Sequence, residues 1–175
     1  MADDRNPEFT DEKAFSAIYE QHFRAIYRFG YRLLGNAEQA KDLAQDVFQR
    51  LFLSLDGRLP APAAKAWIYK TATNLGYDRL RQRGRFKKIS EMGFHFPGQQ
   101  PDIEREFERA EEIKTVREAL EALPPRDRIL LLLYQDGLSY KEIADSAGVR
   151  RSSVGTLISR AIQKLAIRMK AGESQ

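Results

Sequence analysis

The sequence predicts an all-α protein made of two small helical domains. Three observations carry that expectation. Apolar residues recur at steps of three and four along most of the chain, which is the period of one helix face. The strict alternation of a half-buried strand does not occur in it,. Residues rich in proline and glycine break the helical pattern at 56–62 and again at 92–102, where a helix cannot propagate. The expected division is a helical bundle at 10–90, a flexible acidic linker at 91–111, and a second helical domain at 112–170.

In chain order, Phe15, Ile18, Tyr19, Phe23, Ile26, Tyr27, Tyr31 and Leu34 define a first helix, which Gly35-Asn36 closes,. A second helix over Ala37–Leu55 carries Leu43, Val47, Phe48, Leu51, Phe52 and Leu55 on one face, and Asp42, Gln45, Asp46, Gln49 and Arg50 on the other,. The loop from Asp56 to Pro62 precedes a third helix, from about Ala63 to Arg83, with Gly76 as its weak point,. Met92–Asp102 is the break between domains, and Ile103–Ala122 is an acidic segment of helical composition. Pro124-Pro125 opens the second domain. Helices follow at Arg126–Tyr134, Tyr140–Ala147 and Ser153–Lys170.

Composition excludes several chemistries. With no cysteine there is no disulfide, thiolate metal site or cysteine nucleophile, and two histidines, His22 and His95, make no histidine-rich metal site,. No metal and no cofactor is expected. The densest apolar run, Ile129–Tyr134, cannot span a bilayer, and MADDRNPEFTDEK has no apolar stretch to serve as a signal peptide,. The expected location is cytoplasmic, without membrane insertion. Net charge is a mild +4, but it is unevenly spread. Lys65–Ser90 holds eight bases and one acid, Glu91–Pro125 nine acids and four bases, and Arg126–Lys170 nine bases and four acids. Two basic blocks around an acidic one suit two nucleic-acid contacts joined by a segment that does not bind DNA.

The second basic block contains a helix-turn-helix pattern. Ser139-Tyr140-Lys141-Glu142 has the spacing of a capping box,. Small Ala144 falls where two helices would cross, and Gly148 where a tight turn favours positive φ,. Val154, Leu157 and Ala161 anchor the last helix. Its opposite face offers Ser152, Gly155, Thr156, Ser159, Arg160 and Gln163, short donors and one arginine suited to a major groove,. Ser152 or Ser153 is expected to cap that helix. Arg150 and Arg151, in the turn, are better placed for phosphate.

Two segments of the first domain are ambiguous in isolation. The stripe of Asp42, Gln45, Asp46 and Gln49 is what any solvated helix face shows. KAWIYKTATNLGYDRLRQRGR interleaves aromatics with bases, as unstacked single-stranded bases would require, and as an amphipathic helix with a core tryptophan also does. In order and spacing, however, QAKDLAQDVFQRLF, KAWIYKTATNLGYDRLRQRGR and LPPRDRILLLLYQDGLSYKEIADSAGVRRSSVGTLISRAIQKL together resemble the extracytoplasmic-function group of bacterial RNA polymerase sigma factors. The resemblance covers residues 15–90 and 112–167.

The resemblance implies a region 2-like bundle followed by a region 4-like helix-turn-helix. It implies a function in promoter-specific transcription initiation, with recognition of minus-10 and minus-35 elements and aid to melting, and no catalysis. It implies core RNA polymerase as partner, through the beta' clamp helices and the beta flap. Promoter DNA is the second partner and an anti-sigma factor a candidate third. Asp42, Gln45, Asp46 and Gln49 would dock on polymerase. Arg79, Arg81 and Arg83 would hold the melted strand. Arg150, Arg151, Ser152, Ser153, Thr156, Ser159 and Arg160 would meet the minus-35 duplex. The loop Asp56–Ala64 would cup a flipped base, and Met92–Ala110 would thread the polymerase cleft. Trp67 is either a melting wedge or, as the reading prefers, mostly core. Three positions depart from the family pattern. Ile158 and Thr73 stand where members often carry a base, and Ala161-Ile162-Gln163-Lys164 replaces an arginine-rich run.

Two other classes suit the sequence less well. A stand-alone helix-turn-helix regulator would need neither the docking stripe nor the aromatic–basic segment. A nuclease would need more carboxylates near Asp42, Asp46 and Asp78 than the spacing supplies.

Overall fold

The computed structural model describes residues 7–54, 61–91 and 110–172. All regular structure among them is helical: α1 (Pro7–Leu34), α2 (Ala37–Ser54), α3 (Ala61–Glu91), α4 (Ala110–Glu121), α5 (Pro125–Gln135), α6 (Tyr140–Ala147) and α7 (Val154–Gly172), with a 3₁₀ turn at Arg151–Ser153. The expected helices at α1, α2, α5, α6 and α7 are all present. The third helix runs well past Arg83, to Glu91. The acidic segment is helical only from Ala110. Of the expected loop Asp56–Pro62, residues 56–60 lie outside the described residues, as do Leu55 and the break at 92–102, while Ala61 and Pro62 already form the first turn of α3, where proline is tolerated,.

Gly35 (φ 69°) ends α1, donating to the Tyr31 carbonyl at 2.8 Å. Asn36 does more than close that helix. Its side-chain oxygen accepts from the Gln39 amide at 2.8 Å, so it also caps α2,. Pro125 begins α5, where a missing amide hydrogen costs nothing,. Gly148 adopts φ 65° at the end of α6, the left-handed conformation expected from the sequence,.

The capping box of α6 is complete. The Glu142 amide donates to Ser139 Oγ at 3.3 Å, and the Ser139 amide and hydroxyl both donate to Glu142 Oε2 at 2.7 Å. Those hydrogen bonds, the side-chain one first, hold the Glu142 carboxyl below its ordinary value,. A depressed carboxyl pKa means stability that is present above about pH 4.5 and lost as pH falls through the folded value,. Ser139→Ala is expected to lower stability by about 1 kcal/mol at neutral pH and to flatten the acid limb, as urea melts from pH 7 to pH 3 will show.

Ile26, Phe29, Leu33, Leu43, Val47, Leu51 and Ile68 are fully enclosed among α1, α2 and α3. Gly76 lets α3 approach α1 closely: a Cβ there would collide with Leu33 Cδ2. Ile129, Leu130, Leu132, Leu133, Ile143, Val154 and Ala161 form the counterpart among α5, α6 and α7. These two sets belong to one continuous buried cluster.

Polar side chains bridge the halves as well. Arg32 donates to Gln135 Oε1 at 2.7 Å and to Asp136 Oδ1 at 2.5 Å, and the Tyr69 hydroxyl donates to Asp136 Oδ2 at 3.1 Å. Buried Arg128 donates to the Leu33 carbonyl at 2.8 Å and to the Glu121 carbonyl. Desolvation pushes the Tyr69 hydroxyl far above its ordinary value, with Asp136 adding to it, so the phenol remains a donor. Among the described residues no helix is long and apolar enough to cross a membrane.

Candidate nucleic-acid and partner-docking surfaces

The packing of α2 makes its outer stripe possible. Leu43, Ala44, Val47, Phe48 and Leu51 face the core, which leaves Asp42, Gln45 and Gln49 exposed and Asp46 half-buried on the other side. All four predicted docking residues therefore share one face. Phe52 does not belong to the core face that the periodicity predicts for it. It is 57 % exposed and meets Phe15 edge-on at 5.2 Å. Phe48, one turn earlier, meets both Tyr19 and Phe23, whereas Phe52 reaches the same aromatic group through Phe15 at its edge. With Leu53, 73 % exposed, it extends the stripe by one apolar turn, at i+3 and i+4 from Gln49.

The three arginines of α3 do not act alike. Arg79 bends back to α2, donating to Asp46 Oδ2 at 2.6 Å and to the Gln39 carbonyl at 2.7 Å. Arg83 donates to the Leu34 carbonyl at 3.0 Å, at the C-terminus of α1, where the helix dipole favours a cation. Arg81 points the other way, with a loose 3.5 Å pair to Asp78 in which both side chains are well exposed. Such a pair is worth little.

Arg81 is the end of a stripe that sequence reasoning does not single out. Lys70, Asn74, Tyr77 and Arg81 are all exposed, and steps of four, three and four put them on one side of α3. The spacing is readable in the sequence, but without packing nothing says which of the segment's many bases turn outward. Trp67 is half-buried against the core, in line with the core reading preferred for it.

In the helix-turn-helix, Ile143 and Ala144 are buried at the crossing, and Val154 and Ala161 anchor α7. Arg150, Arg151, Ser152, Thr156, Ser159 and Arg160 are exposed, and Ser153 is half-buried. The entry to α7 is not the serine cap that the sequence suggests. The chain passes through a 3₁₀ turn with no side-chain cap, and the Ser153 amide bonds the Arg150 carbonyl at 2.9 Å. The Val154 amide, which a Ser152 cap would take, is likewise bonded to the Arg151 carbonyl,.

Tyr140, 46 % exposed, lies over the first turn of α7, within 3.4 Å of where a Cβ on Gly155 would be. It is a further exposed group beside the candidate reading face. Thr73 and Ile158, two of the departures from the family pattern, are each 4 % exposed, so neither side chain reaches a nucleic acid. No group of three or more histidine, cysteine or acidic side chains that could hold a metal ion occurs among the described residues.

Comparison with known proteins agrees with this layout. The description "Sigma-70 region 2" matches residues 18–86, and "Sigma-70, region 4" matches residues 113–165. The ECF RNA polymerase sigma factor SigE of Mycolicibacterium smegmatis is 33 % identical over 155 residues, covering 87 % of this chain and 60 % of that protein. The ECF RNA polymerase sigma factor SigW of Bacillus subtilis is 37 % identical over 73 residues, covering 42 % of this chain and 39 % of its own. The RNA polymerase sigma-H factor of Pseudomonas aeruginosa is 29 % identical, covering 86 % of this chain and 81 % of its own.

The chain thus spans 60 % of the SigE relative's length and 39 % of SigW's. Among solved structures, the sigma factor RpoE of Bartonella quintana, crystallised with the anti-sigma factor NepR, shares the fold. Its TM-score is 0.72 at 24 % identity, covering 90 % of this chain and 98 % of that one. CnrH, in complex with the cytosolic domain of CnrY, shares it with a TM-score of 0.67 at 21 % identity, covering 94 % and 95 %.

Proposed function

Because this chain belongs to the sigma-70 family, carrying region 2 and region 4 in one polypeptide, we propose that it is a sigma factor of the extracytoplasmic-function group. In this reading it binds core RNA polymerase in the cytoplasm, selects promoters through minus-10 and minus-35 elements, and aids melting. It performs no covalent chemistry itself. The functional units are 10–90 for polymerase docking and the minus-10 element, 91–111 as connector, and 112–170 for the minus-35 element.

The observation that carries the reading is one chain presenting both an exposed polar stripe on α2 and an exposed reading face on α7. A stand-alone regulator has use for the second only. Asp42, Gln45, Asp46 and Gln49 meet basic side chains of the clamp coiled coil, with Phe52 and Leu53 as an apolar end. Lys70, Asn74, Tyr77 and Arg81 line the path of the unpaired strand: Tyr77 offers a stacking plane, Lys70 and Arg81 phosphate contacts. Arg150 and Arg151 hold phosphate, while Thr156, Ser159 and Arg160 meet base edges. The beta flap is a second contact for the C-terminal unit. An anti-sigma factor would act by covering these faces.

Run-off transcription with core polymerase on a promoter library tests the function directly, and the absence of any sigma-dependent transcript would reject it. The docking face has a sharper test. Asp42→Ala with Gln45→Ala removes one charge-assisted and one neutral contact, the former alone worth roughly 1.5–3 kcal/mol. The expected result is a Kd for core polymerase raised by about tenfold or more at unchanged helicity, because both side chains point away from the core. Unchanged affinity would remove the stripe from the docking surface.

A further inference from the structure

Arg79 lies in the basic segment that the sequence assigns to nucleic acid, yet its guanidinium is engaged elsewhere. Its two terminal nitrogens donate to the Gln39 carbonyl at 2.7 Å and to Asp46 Oδ2 at 2.6 Å. Gln39 and Asp46 are seven residues apart, two turns on one side of α2. One arginine therefore spans two turns of the docking helix with the rigid fork that lysine lacks. The Arg79 side chain is 23 % exposed, against 60 % for Arg81. To reach a DNA phosphate it would have to abandon both partners.

Asp46 is the docking residue whose carboxylate it holds. That side chain remains 48 % exposed, and a carboxylate can accept about four hydrogen bonds, so one bond from Arg79 leaves it competent to receive a partner's donor. We propose that Arg79 is a positioning residue for polymerase docking, which fixes the Asp46 carboxylate toward the partner and pins α2 against α3, and is not a ligand of the promoter strand. The proposal rests on the reading of the α2 stripe as the docking face. Its physical basis is preorganisation: rotamer freedom that Asp46 has lost on folding is not lost again on binding.

The sign of the effect separates this role from simple charge. If only net charge mattered, deleting Arg79 would make the stripe more negative and tighten binding to a basic partner. Positioning demands the reverse. Core-polymerase affinity should be measured for the full chain and for Arg79→Ala, Asp46→Asn and the double variant. The expected result is Arg79→Ala weakening core binding by about three- to tenfold, with the double variant no weaker than the more damaging single one, because the two act through one contact. Arg79→Lys, which can reach either partner but not both, should recover part of the loss.

Binding of a single-stranded minus-10 oligonucleotide supplies the other readout. Its salt slope should be unchanged in Arg79→Ala and lowered by about 0.7 in Arg81→Ala. A purely structural role would weaken binding independently of Asp46, so that the two single effects add. Additive losses, unchanged core affinity, tighter core binding, or a reduced salt slope in Arg79→Ala would each overturn the proposal. If Asp42→Ala with Gln45→Ala also leaves core affinity unchanged, it is the docking reading that has failed. If that pair weakens binding and Arg79→Ala does not, only the role of Arg79 has.

Discussion

Arg128→Ala is expected to lower the stability of the folded chain by about 3–6 kcal/mol, two hydrogen bonds from a charged group at roughly 1.5–3 kcal/mol each. Arg128 is only 6 % exposed. It donates to the Leu33 carbonyl, in the last turn of α1, and to the Glu121 carbonyl, in the last turn of α4. Each is a helix C-terminus, where unpaired carbonyls and the dipole both favour a cation. Desolvation lowers the pKa of the guanidinium, but from so high a value that it remains charged. Alanine would leave the buried Leu33 carbonyl and the part-buried Glu121 carbonyl without this donor. Arg128→Lys should recover only part of the loss, because a point charge cannot serve two carbonyls as a fork does. Urea unfolding at neutral pH is the measurement, and a midpoint unchanged in Arg128→Ala would show that the bridge contributes nothing.

Phe29→Ala should cost a similar amount, about 3–5 kcal/mol, as large-to-small changes in a packed core do. Phe29 is fully buried among α1, α2 and α3 and meets Tyr69 edge-on, with ring centroids 5.9 Å apart. The loss extends beyond the cavity. Tyr69 is the residue whose hydroxyl reaches Asp136, which Arg32 also holds. An unsupported ring at 69 therefore loosens a contact between the two halves of the chain. Tyr69→Phe, which keeps the packing and deletes only the hydroxyl, should cost nearer 1 kcal/mol. A Phe29→Ala loss no larger than that of Tyr69→Phe would mean that the ring pair is not a core element.

Much of the candidate site is legible in the amino-acid sequence. The stripe on α2 is readable because Leu43, Val47 and Phe48 fix which side of the helix is buried, and its polar side follows. The exposed polar face of α7 follows from Val154 and Ala161 in the same way. Phe52 escapes this logic because periodicity gives the direction of a side chain and not how much of the neighbouring helix lies over it, and Phe52 meets that helix only edge-on. The entry to α7 escapes it because Ser152 and Ser153 satisfy the compositional rule for a cap, while the backbone meets the need with a 3₁₀ bond instead. The arginines of α3 cannot be sorted by sequence, since Arg79, Arg81 and Arg83 are identical in type and differ only in what their long side chains encounter.

The sequence by itself determined the helices α1, α2, α5, α6 and α7, the glycine that ends α6, the capping box that begins it and the family to which the chain belongs. Each depends on residues within a few positions of one another, or on the order of segments along the chain. Tertiary structure alone decided which cations are available to a ligand. Arg79, Arg83 and Arg128 bond to backbone carbonyls 40, 49 and 95 residues away, and no local pattern encodes contacts at such separations. The physical reason is the length of the arginine side chain: its charge acts at the surface or on a neighbouring helix according to how the helices pack, whereas the helical period is set by the backbone alone.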